Sequence, residues 1–107
     1  MPGAKRLPGY GYMQLPSWYY LGGESITLDG ASHYGATIPS EASIIEVRAE
    51  AGELYFALNV AGAAATSPGY IPEDQAEILG PLANLSALRL YSTTASTVAH
   101  LMYFREA

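Results

Sequence analysis

Residues 45–51 alternate strictly, with Ile45, Val47, Ala49 and Ala51 on one side and Glu46, Arg48 and Glu50 on the other. Successive side chains of a strand point to opposite faces, so this run gathers every charge on one face and leaves the other dry. A chain containing such a strand must cover the dry face with a second layer. Glu50-Ala51-Gly52-Glu53 supplies a Gly-containing turn, after which Leu54, Phe56 and Leu58 alternate with Tyr55, Ala57 and Asn59. Residues 43–59 are therefore predicted to form an antiparallel hairpin with Ile45, Val47, Phe56 and Leu58 inside.

The flanking sequence has the same character. Ser25-Ile26-Thr27-Leu28 alternates before the turn dipeptide Asp29-Gly30, and a second turn starts at Ile38-Pro39-Ser40-Glu41. Residues 60–76 read as loop, because Gly62 and Pro68 leave the Ala61–Ala65 run too short for a helix. Ile78-Leu79 runs into the breaker Gly80-Pro81. Leu85–Tyr91 and Thr97–Arg105 read as two more strands. In the last, Val98, His100, Met102 and Phe104 share one face, and Ala99, Leu101 and Tyr103 share the other. A strand apolar on both faces is expected to be central, with His100 a core histidine bonded to backbone. Short strands, Gly/Pro turns and no amphipathic helix predict an all-β fold, a single antiparallel β-sandwich of jelly-roll type. At 107 residues, half of them apolar, the chain has room for one such core, and with no cysteine it needs none of the covalent staples of smaller domains.

Residues 1–23 differ. Pro2, Gly3, Pro8, Gly9, Gly11, Pro16 and Gly22-Gly23 break any helix, so this part is read as an extended arm ahead of a sandwich domain at 24–107. Yet five of the twelve aromatics fall in the first 20 positions, which a solvated spacer would avoid. Leu7, Tyr10, Tyr12, Met13, Leu15, Trp18, Tyr19 and Tyr20 are the candidate protein-interface residues. Two placements compete: residues 17–21 seal a sheet of their own domain as an edge strand, and residues 1–16 reach a neighbouring subunit. Charge divides at the same place. Residues 1–20 carry Lys5 and Arg6 and no acid, while residues 21–107 carry three Arg and ten acids, so the front is +2 and the body −7. A net charge of −5 is the wrong sign for tracking a phosphate backbone, so no nucleic-acid partner is expected. No apolar run is long enough for a membrane span and no secretion signal is visible, so the chain is expected to be soluble and unexported.

The usual chemical signatures are missing. Gly23-Glu24-Ser25-Ile26-Thr27 lacks the second Gly of a nucleophile elbow, and Asp29, Ser32 and His33 read as ordinary loop residues. Gly9-Tyr10-Gly11 has no phosphate-loop context, and Asn84-Leu85-Ser86 is a glycosylation triplet without a secretion signal. His33 and His100 have no metal-ligand spacing. Glu73, Asp74 and Glu77 offer oxygens for Ca²⁺ but no EF-hand pattern, and read as a solvated face. No metal, no cofactor and no enzymatic activity are expected.

The order of segments carries a resemblance: Ser25-Ile-Thr-Leu-Asp29, Ile38-Pro39 leading into Ser43-Ile-Ile-Glu-Val-Arg48, and Glu53-Leu-Tyr-Phe-Ala-Leu58. The Thr66-Ser-Pro-Gly-Tyr70 loop, Ile78-Leu79-Gly80-Pro81-Leu82 with Leu85-Ser86-Ala87-Leu88, and the closing Ala99-His-Leu-Met-Tyr-Phe-Arg105 follow. Over roughly residues 24–106 this resembles small β-sandwich structural proteins of tailed bacteriophages, particularly capsid cement or decoration proteins. The resemblance implies a virion structural protein, assembled in the host cytoplasm and forming a homo-oligomer. Its partner would be the major capsid protein or another virion protein, and there would be no catalytic or cofactor residues. A carbohydrate- or receptor-binding sandwich of a phage tail is the alternative. In that case Tyr and Trp would stack on pyranose rings, and they would lie on a face or loop of the domain instead of on an arm.

Overall fold

The computed structural model describes residues 18–106, together with the backbone of two strands nearer the N-terminus, β1 (Ala4–Leu7) and β2 (Gly11–Gln14). These two pair antiparallel, Lys5 opposite Met13 and Arg6 opposite Tyr12. The segment read as an extended arm therefore contains a two-stranded ribbon, and the turn dipeptide Pro8-Gly9 between the strands is the signal for it.

The body is all-β, with no α-helix among the described residues. Eight strands follow: β3 (Trp18–Thr27), β4 (Tyr34–Gly35), β5 (Ile44–Glu50), β6 (Leu54–Leu58), β7 (Gly69–Ile71), β8 (Ala76–Leu79), β9 (Leu88–Tyr91) and β10 (Val98–Glu106). They form two antiparallel four-stranded sheets, in the orders β3-β10-β5-β8 and β4-β9-β6-β7. Of the seven connections, all but β6–β7 cross between sheets, which is the jelly-roll winding the segment pattern predicts. The core lies between the sheets. Ile45, Val47, Ala49, Ala99, Leu101 and Tyr103 of the first sheet meet Leu54, Ile71, Leu88 and Leu90 of the second, with Leu28 and Leu85 closing the ends.

The predicted 43–59 hairpin is not formed. β5 bonds to β10 and β8, while β6 bonds to β9 and β7. The dry faces of both strands are directed inward as predicted, but they meet across the core through side chains, not side by side through hydrogen bonds. Joining them in one sheet would leave both faces still needing a cover, whereas crossing between layers covers each with the other. The turn makes this possible: Ala51 takes φ +64, and Gly52 is buried where an added Cβ would run into the Thr97 side chain. Thr97 is itself buried and accepts a bond from Ser92 Oγ at 3.0 Å while donating to Thr94 O at 2.7 Å. Glu53 grips the same loop through the Thr93 and Thr94 hydroxyls, and chiefly the Thr93 bond holds its carboxyl below the usual range.

Three further expectations change. The 60–76 segment contains β7 and runs into β8, and the 85–91 strand begins only at Leu88, after a single 3-10 turn at Leu85–Ala87. Most consequential, the structure has no break at 23/24, where the arm was expected to end: β3 starts at Trp18 and pairs with β10 along its whole length. Residues 18–21 thus form an edge strand of their own domain. The register shifts between Tyr103 and Phe104, which pair with Gly22 and Tyr20, so Leu21 is the extra residue of a β-bulge. Gly22 makes the bulge possible at φ +124, a conformation L side chains rarely adopt. The bulge changes side-chain parity. Leu21 packs toward the core, while Trp18 and Tyr20 lie on the outer face with Phe104.

Candidate functional site

The outer face of the first sheet is built of cross-strand rows. At the end where β3 begins, the Phe104 ring is flanked by Trp18, centroids 5.6 Å apart, and by the edge-on Tyr20 at 5.8 Å. Trp18 and Tyr20 stay 39% and 62% exposed, well above what a ring sealed into its own domain retains. On the opposite face of the same two strands Tyr19, also exposed, lies beneath the Arg105 guanidinium at 4.3 Å, and Arg105 in turn approaches Glu41 at 3.8 Å. The next row sets Gly23, Met102, Glu46 and Ile78 side by side on β3, β10, β5 and β8. Met102 and Ile78 are both exposed.

The polar end holds a trio that sequence reasoning missed. Ser25 Oγ lies 2.8 Å from His100 Nδ1, and His100 Nε2 lies 2.6 Å from Glu50 Oε1. His100 is therefore not a core histidine bonded to backbone. It is half-exposed on the outer face, because the inward side of β10 is taken by Ala99, Leu101 and Tyr103. With its proton on Nε2 the ring donates to Glu50 and accepts the Ser25 hydroxyl. The bond from His100 lowers the Glu50 carboxyl below the usual range. The order Ser-His-Glu is that of an activated serine. Here, however, the three side chains lie on an open sheet, and no pocket forms among the described residues to hold a carbonyl against Ser25. What the trio does is tie β3, β10 and β5 together across their outer face.

On the second sheet Tyr91, Tyr55 and Tyr70 stand opposite one another on β9, β6 and β7. Their centroids are 6.4 and 5.2 Å apart with planes tilted about 50°. Tyr70 is exposed and the other two are half-buried.

Of the interface residues expected from sequence, Trp18, Tyr19 and Tyr20 are brought together at one end of β3. Leu7 falls on β1 and Tyr12 and Met13 on β2, whereas Tyr10 and Leu15 lie outside the described residues. Asp29 is a turn former: its Oδ1 accepts the N–H groups of Ala31 and Ser32 at 2.8 and 2.7 Å, and these bonds, Ser32 first, lower its carboxyl. Glu73, Asp74 and Glu77 are exposed and do not converge, and no group of three metal-ligating side chains forms among the described residues. Among the described residues no helix is long and apolar enough to cross a membrane. Comparison with known proteins finds no matching family model, curated protein or solved structure.

Proposed function

We propose that this protein is a structural component of a phage virion, a cement or decoration protein that binds the major capsid shell and stabilises it. One observation carries the binding part of the reading. Trp18 and Tyr20 flank Phe104 in an exposed aromatic cluster on the outer face at one end of the sandwich, and on the other face of the same strands Tyr19 lies under the Arg105 guanidinium. Trp, Tyr and Arg dominate the energetics of protein interfaces because they bury much area at little conformational cost. The virion part rests on the resemblance of the segment pattern, and a jelly roll is a fold that capsid proteins use often. Co-sedimentation of the purified protein with mature capsids tests both parts. Wild type should pellet with the shell and a Trp18→Ala/Tyr20→Ala variant should stay in the supernatant. Failure of wild type to pellet would end the proposal.

The tyrosine row Tyr91–Tyr55–Tyr70 favours a second reading, a glycan- or receptor-binding module of a phage tail, since its aromatics lie on a face of the domain and not on an arm. Jelly rolls serve lectins as well as capsids, so the fold does not choose between the two. Loss of glycan binding on Tyr70→Ala, with shell binding absent in wild type, would select the second reading.

A further inference from the structure

We infer that the N-terminal ribbon of one copy docks on the outer face of the first sheet of a second copy, across the Met102–Glu46–Ile78 row. Three observations bear on the surface. Met102 and Ile78 are 38% and 54% exposed on the four-stranded sheet, and they flank a half-buried carboxylate, Glu46. Glu50 and Glu106 lie on the same face, where Arg48 is the one cation among the described residues, and Glu73 and Asp74 precede β8 at the sheet's edge. The face thus offers apolar area inside an acidic surround.

The occupant that fits is a segment with large apolar side chains, cations and no acid. Residues 1–16 of this chain have that composition: Lys5 and Arg6 are their only charged side chains, beside Leu7, Tyr10, Tyr12, Met13 and Leu15. Backbone register places Lys5 opposite Met13 and Arg6 opposite Tyr12 across the ribbon. A long basic side chain laid beside Met102 or Ile78 covers apolar surface with its stem and meets Glu46 with its head. A two-stranded ribbon is marginal alone and gains stability from a surface to lie on. Because ribbon and face are different patches of the same chain, two copies can exchange ribbons reciprocally, closing a dimer without an open edge. This contact does not involve the shell, so its test needs no capsid and is independent of the function proposed above.

The test is charge exchange in the full chain, read as mass by sedimentation velocity. Wild type should sediment as a dimer or larger closed assembly at micromolar concentration. Glu46→Lys alone and Lys5→Glu/Arg6→Glu alone should each weaken association at least about tenfold, because each sets like charges against one another. Mixing the two variants should restore assembly, since each then finds on its neighbour the charge it lacks on itself. An unchanged far-UV circular dichroism spectrum shows that the variants fold. A monomeric wild type, variants that assemble like wild type, or a mixture that stays monomeric would each overturn the inference.

Discussion

Val47→Asp is the sharpest test of the two-layer arrangement. Val47 lies on β5 between β10 and β8, fully buried, with its side chain directed at the second sheet. Losing a buried valine costs about 1.5–3 kcal/mol of apolar transfer. Burying a carboxyl group without a partner adds roughly 1–3 kcal/mol even when it takes up a proton to avoid the charge. The total, about 3–6 kcal/mol, is a large share of the roughly 5–15 kcal/mol that stabilises a domain of this size. At about 4–8 °C per kcal/mol for a small domain, the melting temperature should fall by roughly 12 °C or more. Thermal unfolding followed by circular dichroism measures it, with Arg48→Ala, one residue on but facing solvent, as the control expected within about 0.5 kcal/mol of wild type. A Val47→Asp protein melting within a few degrees of wild type would mean that this face of β5 is not the inner one.

Other positions give further tests. Gly52→Ala pushes a methyl group into Thr97 and breaks the buried Ser92–Thr97 bond, so urea denaturation should show a loss of about 1–3 kcal/mol. The buried Tyr103 hydroxyl has no hydrogen-bond partner among the described residues, and burial, with the nearby Glu24 carboxylate, raises its phenol above the usual range. Tyr103→Phe should therefore leave stability unchanged or raise it by up to about 1 kcal/mol, and a clear loss would reveal a partner for the hydroxyl. Because the folded-state carboxyl of Glu50 is lowered by His100, its contribution is present above the ordinary carboxylate range and lost as pH falls through the lowered value. Glu50→Gln should accordingly flatten the acid side of a melting-temperature profile, and an unchanged slope would show that the carboxylate does not contribute.

What the sequence made legible was parity, and what it hid was partnership. The Glu46-Arg48-Glu50 alternation identified the wet face of β5 correctly, and the same rule put Leu54, Phe56 and Leu58 on the core side of β6. A period of two says which way a side chain points, not which sheet the strand joins, so the alternation in β5 and β6 fits a hairpin as well as two separate layers. Gly22-Gly23 reads as arm punctuation, whereas Gly22 is the signature of a bulge inside a strand. That one residue decides whether Trp18 and Tyr20 share a face with Phe104. The Ser25–His100–Glu50 trio joins residues 75 and 50 positions apart, which only the register of three strands brings together. Gly69–Ile71 is a strand of three residues, too short for any alternation to register.

The most direct test of the central proposal is a saturation titration of mature, undecorated capsids with the purified protein, monitored by bound mass and by the temperature at which the shell opens. Binding should saturate at a copy number set by the shell's symmetry, and shell opening should move to higher temperature in step with occupancy. Trp18→Ala/Tyr20→Ala should abolish both effects. Binding that never saturates, or saturation without any rise in opening temperature, would contradict the reading of this protein as a clamp on the shell.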